Sequence, residues 1–384
     1  MYVDRAGQAA PDTAAGLING AIERGVIPGA VLAAGQGSEN PLVWHVAGDA
    51  QHDQQALRPM TSDTIFDLAS LTKVVATLPC VLRLVVAGEI GLDDQAHRYL
   101  ADFRGTGKDG VTIRHLLTHT SGLPDYSQYY ERMHDPAQVR AAALAEPLLW
   151  APGSTYCYSD IGFITLGELC AVVAGCSLDK LATELVFAPL QMKDTGYLPP
   201  AARAGQIAST EPVGGVAKTG VVHDENAEAL GGVAGHAGLF STAADLARYA
   251  AAWAEAGGEP AAGLRLPAGL VAEALRCQTD GVPAGLPPSR AMPPGRESLP
   301  SRRGLGWGLR GDRWDNMGDG WPLTGAGHTG FTGTCLSIDP ESGMWLVLLT
   351  NAVHFGRGPE HAVVPLRRQV HASVAASLLG SVGH

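Results

Sequence analysis

Lysine is scarce in this 384-residue chain: only Lys73, Lys108, Lys180, Lys193 and Lys218 occur, no two of them close together. With 27 basic against 38 acidic residues, the net charge is −11, which argues against a surface built to neutralise nucleic-acid phosphates. No C-x-x-C pair joins the six cysteines, Cys80, Cys157, Cys170, Cys176, Cys277 and Cys335. They read as reduced, buried thiols, and no metal site or cofactor is expected. Long apolar runs are missing too. The longest, Val74 to Val86, is interrupted by Pro79 and Arg83 and is shorter than the ~20 residues a membrane span requires. The opening Met1-Tyr-Val-Asp-Arg-Ala-Gly has no basic start followed by an apolar stretch, so the expectation is a cytoplasmic protein with neither nucleic-acid nor membrane partners. No G-x-S-x-G occurs, which excludes the α/β-hydrolase nucleophile elbow.

What is present suits a globular enzyme. Apolar residues make up 46 % of the chain, enough for a large core, and 49 glycines with 25 prolines predict many turns. Apolar periodicity predicts a helix over 12–25 and strands over 29–34 and 41–47. A mainly helical stretch follows, with helices over 70–88, 112–118, 136–144, 161–175 and 243–256. Pro-rich residues 281–303 read as a long irregular loop, a class that often borders a site. Strands return over 304–309, 327–338 and 344–351, and a helix over 361–379 closes the chain. The expected fold is therefore α/β (α+β), with an antiparallel sheet built from the terminal segments 1–60 and 300–384 and flanked by helices. Residues 61–299 form an inserted, mainly helical lobe, and a cleft between the two layers is the expected site.

The chemistry starts at Ser70-Leu-Thr-Lys73. Residues i and i+3 of a helix share a face, so this S-x-x-K places a hydroxyl beside an amine. A helix start adds free N–H groups and partial positive charge, which favour an alkoxide and a nearby oxyanion. A desolvated lysine can act as the base that serine needs. With 18 serines and five lysines, chance supplies about 0.2 such matches. The second match, Ser177 to Lys180, reads as a helix cap. Tyr158-Ser-Asp160 lies ahead of an apolar helix, where a phenol near an ammonium can share a proton shuttle. His328-Thr329-Gly330 opens a predicted strand, and the N–H after the glycine, that of Phe331, is a candidate second oxyanion donor. Lys218-Thr-Gly220 reads as a loop, His115 and His119 as structural histidines, and His223-Asp-Glu-Asn226 as a hydrogen-bonding loop that could border the cleft.

These motifs, in this order, resemble those of the serine β-lactamase and penicillin-binding-protein superfamily, nearest to its class C-like and family VIII esterase branch. The resemblance extends over roughly 12–380 and includes Phe66-Asp-Leu-Ala-Ser-Leu-Thr-Lys73, Thr112-Ile-Arg-His-Leu-Leu-Thr-His-Thr-Ser-Gly-Leu-Pro124, Gly232-Val-Ala-Gly-His-Ala-Gly-Leu-Phe-Ser-Thr242, Gly304-Leu-Gly-Trp307 and Leu348-Leu-Thr-Asn351. It implies an acyl-enzyme on Ser70, a proton relay through Lys73 and Tyr158, and an oxyanion hole made by the N–H groups of Ser70 and Phe331. Asp160, His328, Thr329 and Gly330 would contact substrate or support these groups.

Two departures bear on substrate. His328 stands where penicillin-recognising members carry lysine, and its loss removes a charge-assisted bond worth about 1.5–3 kcal/mol. Asp160 stands where many members have asparagine. If ionised, it would repel anions, hold His328 protonated, or pair with Lys73 and make that lysine a poorer base. The leading expectation is a carboxylesterase on small neutral esters. The alternatives are a β-lactamase-like, D-amino-acid amidase or D,D-peptidase activity, an acyltransferase to an alcohol or amine, and a non-catalytic ligand-binding descendant. The partner is a small-molecule ester or amide; the oligomeric state is not legible in the sequence.

Overall fold

The computed structural model describes residues 13–37, 40–54, 56–255, 263–285, 299–358 and 362–380. A seven-stranded antiparallel sheet is formed by β1 (Gly29–Gln36), β2 (Val43–His52), β3 (Leu57–Pro59), β4 (Gly308–Leu309), β5 (Ala326–Thr329), β6 (Cys335–Asp339) and β7 (Met344–Thr350), in the order β3-β2-β1-β7-β6-β5-β4. The chain ends meet at its centre, where β1 pairs with β7 from Ala30 opposite Thr350 to Gln36 opposite Met344. Gly-Ala-Val-Leu-Ala-Ala and Met-Trp-Leu-Val-Leu-Leu-Thr are buried throughout, as expected for strands covered on both faces. Alternation divides their side chains between two layers. Ala30, Leu32, Leu346 and Leu348 pack with helices Ala14–Glu23 and Val364–Gly380, whereas Val31, Ala33, Val347 and Leu349 join the core of the helical lobe.

Two expected elements are composite. Residues 327–338 do not form one strand: Gly330 N–H donates to Thr334 O (2.8 Å), closing a hairpin turn between β5 and β6. Gly333, at φ +120°, makes that reversal possible. The expected helix over 70–88 is a 3₁₀ turn at Ala69–Leu71, a π turn at Lys73–Thr77 and an α-helix at Leu78–Val86. Pro79 has no N–H to give Val75, so regular α bonding cannot run through this point. The stretch Ala69–Val86 is long and apolar enough to resemble a membrane span, yet 78 % of it is buried inside this protein. Of the Pro-rich loop expected over 281–303, residues 286–298 lie outside the described residues.

His371 ties the closing helix to the sheet, its Nε2 lying 2.8 Å from Ser337 Oγ, while Nδ1 donates to Arg367 O at 2.7 Å. Complete burial pushes its pKa down to about 4. The unfolded chain therefore takes up this proton first. The stability due to the neutral ring is complete above about pH 6.5 and is lost as pH falls toward 4, at ~1.4 kcal/mol per pH unit. Urea midpoints measured between pH 7.5 and 4.5 should fall steadily, and less steeply for His371→Gln; equal slopes would contradict this assignment.

Candidate active site

Lys73 is fully buried beside a partly buried Ser70. Its ammonium donates to Ser70 Oγ (2.9 Å) and to His236 O (3.1 Å), and it pairs with Asp160 Oδ1 at 2.7 Å. Burial alone would favour the neutral amine, but Asp160 and Tyr158 outweigh it and hold Lys73 above the ordinary lysine range. The carbonyl of His236 reaches Lys73 because Gly235 lies directly against helix Asp160–Ala174: a Cβ on Gly235 would come within 2.0 Å of Phe163 O. A buried His236 Nε2–Asp224 Oδ1 contact (2.8 Å) holds the same loop.

Asp160 opens its helix after the N-cap Ser159, whose Oγ accepts the Gly162 N–H at 3.0 Å. The helix dipole favours a carboxylate there. Tyr158 is fixed by His119, a residue at φ +58° whose ring lies 4.4 Å from the phenol ring. His119 Nδ1 accepts the Ser159 N–H at 3.0 Å. Burial, with Arg303 and Lys73 nearby, pushes His119 well below the ordinary histidine range, so its ring is neutral. His119 is thus more than an incidental structural histidine, although nothing in the H-x-x-x-H spacing indicates it.

Arg303 is a functional candidate that the motifs do not reveal. Its guanidinium carbon lies 5.6 Å from the Tyr158 ring and 5.5 Å from the Tyr156 ring, and Nη2 pairs with buried Asp312 at 3.1 Å. Tyr158 is therefore flanked by two cations, with the Lys73 ammonium 5.1 Å from its ring centroid. His328 extends from β5 toward the same place, its ring 6.0 Å from that of Tyr158 and its Nδ1–H donated to Thr329 O at 2.9 Å. Burial, Lys73 and Arg303 push its pKa well below the ordinary range. Of the three roles expected for Asp160, the geometry selects the pairing with Lys73. Asp160 does not hold His328 protonated, because burial and then the two cations outweigh it.

The turn carrying Gly330 and Phe331 is stitched to the strand ahead of Ser70. Thr332 Oγ1 donates to Asp67 O (2.7 Å) and Thr334 Oγ1 to Leu68 O (3.2 Å). A Cβ on Gly330 would sit 2.3 Å from Leu68 O, so only glycine permits this approach. The Asp67 carboxylate accepts the N–H of Ala69 (2.8 Å) and of His223 (2.6 Å). Phe331 projects at the mouth, 57 % exposed, stacked on His223 at 5.8 Å and 5.4 Å from the Arg357 guanidinium. Ser70, Tyr158, Arg303, His328, Thr329 and Phe331 all line one cavity of about 390 Å³, a volume suited to a small molecule. Lys218 instead pairs with Glu228 at 2.6 Å, outside that lining. No cluster suited to a metal occurs among the described residues.

A family model described as Beta-lactamase matches residues 14–366. The chain belongs to the beta-lactamase family. Within that family it is 31 % identical, over 77 % of its length and 70 % of the relative's, to an Escherichia coli (strain K12) protein named "Putative D-alanyl-D-alanine carboxypeptidase". Solved structures share the fold. A penicillin-binding protein homologue from Caulobacter crescentus is 22 % identical, with 98 % of this chain and all of that one covered at a TM-score of 0.73. EstCE1, described as a hydrolase with promiscuous acyltransferase activity, is 22 % identical, with 94 % and 97 % covered at a TM-score of 0.68. The beta-lactamase fold, mixing helices with an antiparallel sheet, agrees with the sequence reading.

Proposed function

We propose that this serine hydrolase forms an acyl-enzyme on Ser70 and acts on small amides that carry a carboxylate, of the D-alanyl peptide kind. The chemistry rests on Ser70 and Tyr158, which line the cavity, and on the buried Lys73–Asp160 pair that contacts Ser70 beneath it. Lys73, held as a cation, already donates to Ser70 Oγ, so the hydroxyl proton leaves for the phenolate form of Tyr158 as Ser70 attacks, giving the neutral phenol. Before that transfer the phenolate faces Lys73 on one side and Arg303 on the other. Tyr158 then protonates the departing amine. The N–H groups of Ser70 and Phe331 hold the oxyanion, each worth about 3 kcal/mol, and water releases the acyl group.

The observation that carries the substrate reading is Arg303. It places a buried guanidinium in the lining of a cavity in which His328 replaces the expected lysine, and a substrate carboxylate would share it with Asp312, its partner at 3.1 Å, while Lys73 pairs with Asp160 at 2.7 Å. The name of the Escherichia coli relative points the same way. A neutral His328 favours a second reading, the neutral carboxylic ester.

The two readings separate by comparing a D-alanyl-D-alanine peptide, its C-terminal carboxamide and p-nitrophenyl acetate. The free carboxylate should raise kcat/KM by about 10–100-fold over the carboxamide, as expected for a charge-assisted bond. Equal values for peptide and carboxamide, together with rapid ester turnover, would establish the ester reading instead.

A further inference from the structure

Arg367 occupies the first turn of the closing helix Val364–Gly380, buried to 5 % exposure. That is an adverse place for a cation, because the helix dipole is positive there. Among the described residues no carboxylate acts on its charge, and its Nε has no hydrogen-bond partner. A buried guanidinium without a counter-ion is costly. What it does contact is the turn between β5 and β6: Nη2 donates to Gly330 O at 3.1 Å and to Thr334 O at 3.0 Å.

The Gly330 carbonyl and the Phe331 N–H belong to one peptide unit. In a trans peptide they point in opposite directions, so a donor on the carbonyl side leaves the N–H facing the other way. Among the described residues the Phe331 N–H donates to no backbone carbonyl, and Phe331 lines the cavity with Ser70. A bond from a charged donor to the carbonyl is about twice as strong as a neutral one, and it polarises the peptide so that its N–H becomes a better donor.

We propose that Arg367, which lines the same cavity, is a positioning residue that braces and polarises the Gly330–Phe331 peptide through its carbonyl, strengthening its N–H as an oxyanion donor. The inference rests on the acyl-enzyme reading above and adds a residue outside the S-x-x-K, Tyr-x-Asp and His-Thr-Gly motifs.

The test uses the full chain with Arg367→Gln, which keeps a neutral donor, and Arg367→Lys, which keeps the charge without the planar fork. The readouts are kcat, KM and the infrared stretching frequency of an isotope-labelled acyl-enzyme carbonyl. Arg367→Gln should lower kcat about tenfold at unchanged KM, less than the ~10²–10³-fold caused by removing a whole donor. It should also move the carbonyl to higher frequency, with Arg367→Lys in between. If Arg367→Gln does not fold, the Lys variant decides by the same frequency shift. A wild-type frequency in whichever variant folds overturns the proposal. Failure of wild-type protein to react with a fluorophosphonate would instead overturn the acyl-enzyme reading itself.

Discussion

Replacing Ser70 by alanine is expected to abolish fluorophosphonate labelling and to lower turnover by roughly 10⁴–10⁶-fold, as loss of a serine nucleophile does elsewhere. The expected loss is large because nothing nearby can substitute. Lys73 is held as a cation by Asp160, so its amine is no nucleophile. Ser159 is committed to its helix, donating to Pro124 O at 2.6 Å while accepting the Gly162 N–H. Stability should change little. Ser70 is only partly buried, and removing its hydroxyl leaves the Lys73 ammonium with Asp160 and the His236 carbonyl. Intact mass after probe treatment and a melting curve check both halves. A labelled Ser70→Ala protein would mean that the acyl group is carried by another residue.

The parts of this site that depend on spacing along the chain were legible in the sequence. Ser70 and Lys73 meet because three residues of helical chain bring them together, and Asp160 follows Tyr158 into the first turn of a helix capped by Ser159. The central sheet was also legible, since the apolar runs of β1 and β7 need covering on both faces and lie near opposite chain ends. What escaped notice depends on tertiary partners. Arg303 matters because of Asp312 and the Tyr158 ring, neither of which a lone arginine before Gly304 reveals. The carbonyl of His236 comes to Lys73 from 163 residues away, and a backbone acceptor leaves no mark in composition. The charge on Asp160 could have gone to His328 or Lys73; only the 2.7 Å approach to Lys73 decides it. The hairpin at 330–334 was hidden because Gly-Phe-Thr-Gly reads equally well as strand or turn.

Tyr158→Phe is expected to lower kcat by about 10³-fold with little change in KM, within the usual range for losing a general base. The ring and its packing against His119 at 4.4 Å persist, so binding geometry survives and only the proton acceptor is lost. Lys73 can take over only as the neutral amine. The variant loses the Tyr158 contribution to the raised Lys73 pKa but keeps the Asp160 contact at 2.7 Å, so Asp160 still favours the charged amine and the neutral fraction grows as pH rises. The residual rate of the variant should therefore climb with pH through the alkaline range, whereas the wild type is expected to turn over faster than the variant at pH 7. A pH series of kcat for both proteins distinguishes the two bases. If Tyr158→Phe keeps the wild-type rate at pH 7, Lys73 must be neutral there and the Asp160 pairing cannot hold it charged in the working enzyme. If the variant is slow and its rate rises with pH, Lys73 is the electrostatic partner and Tyr158 the base.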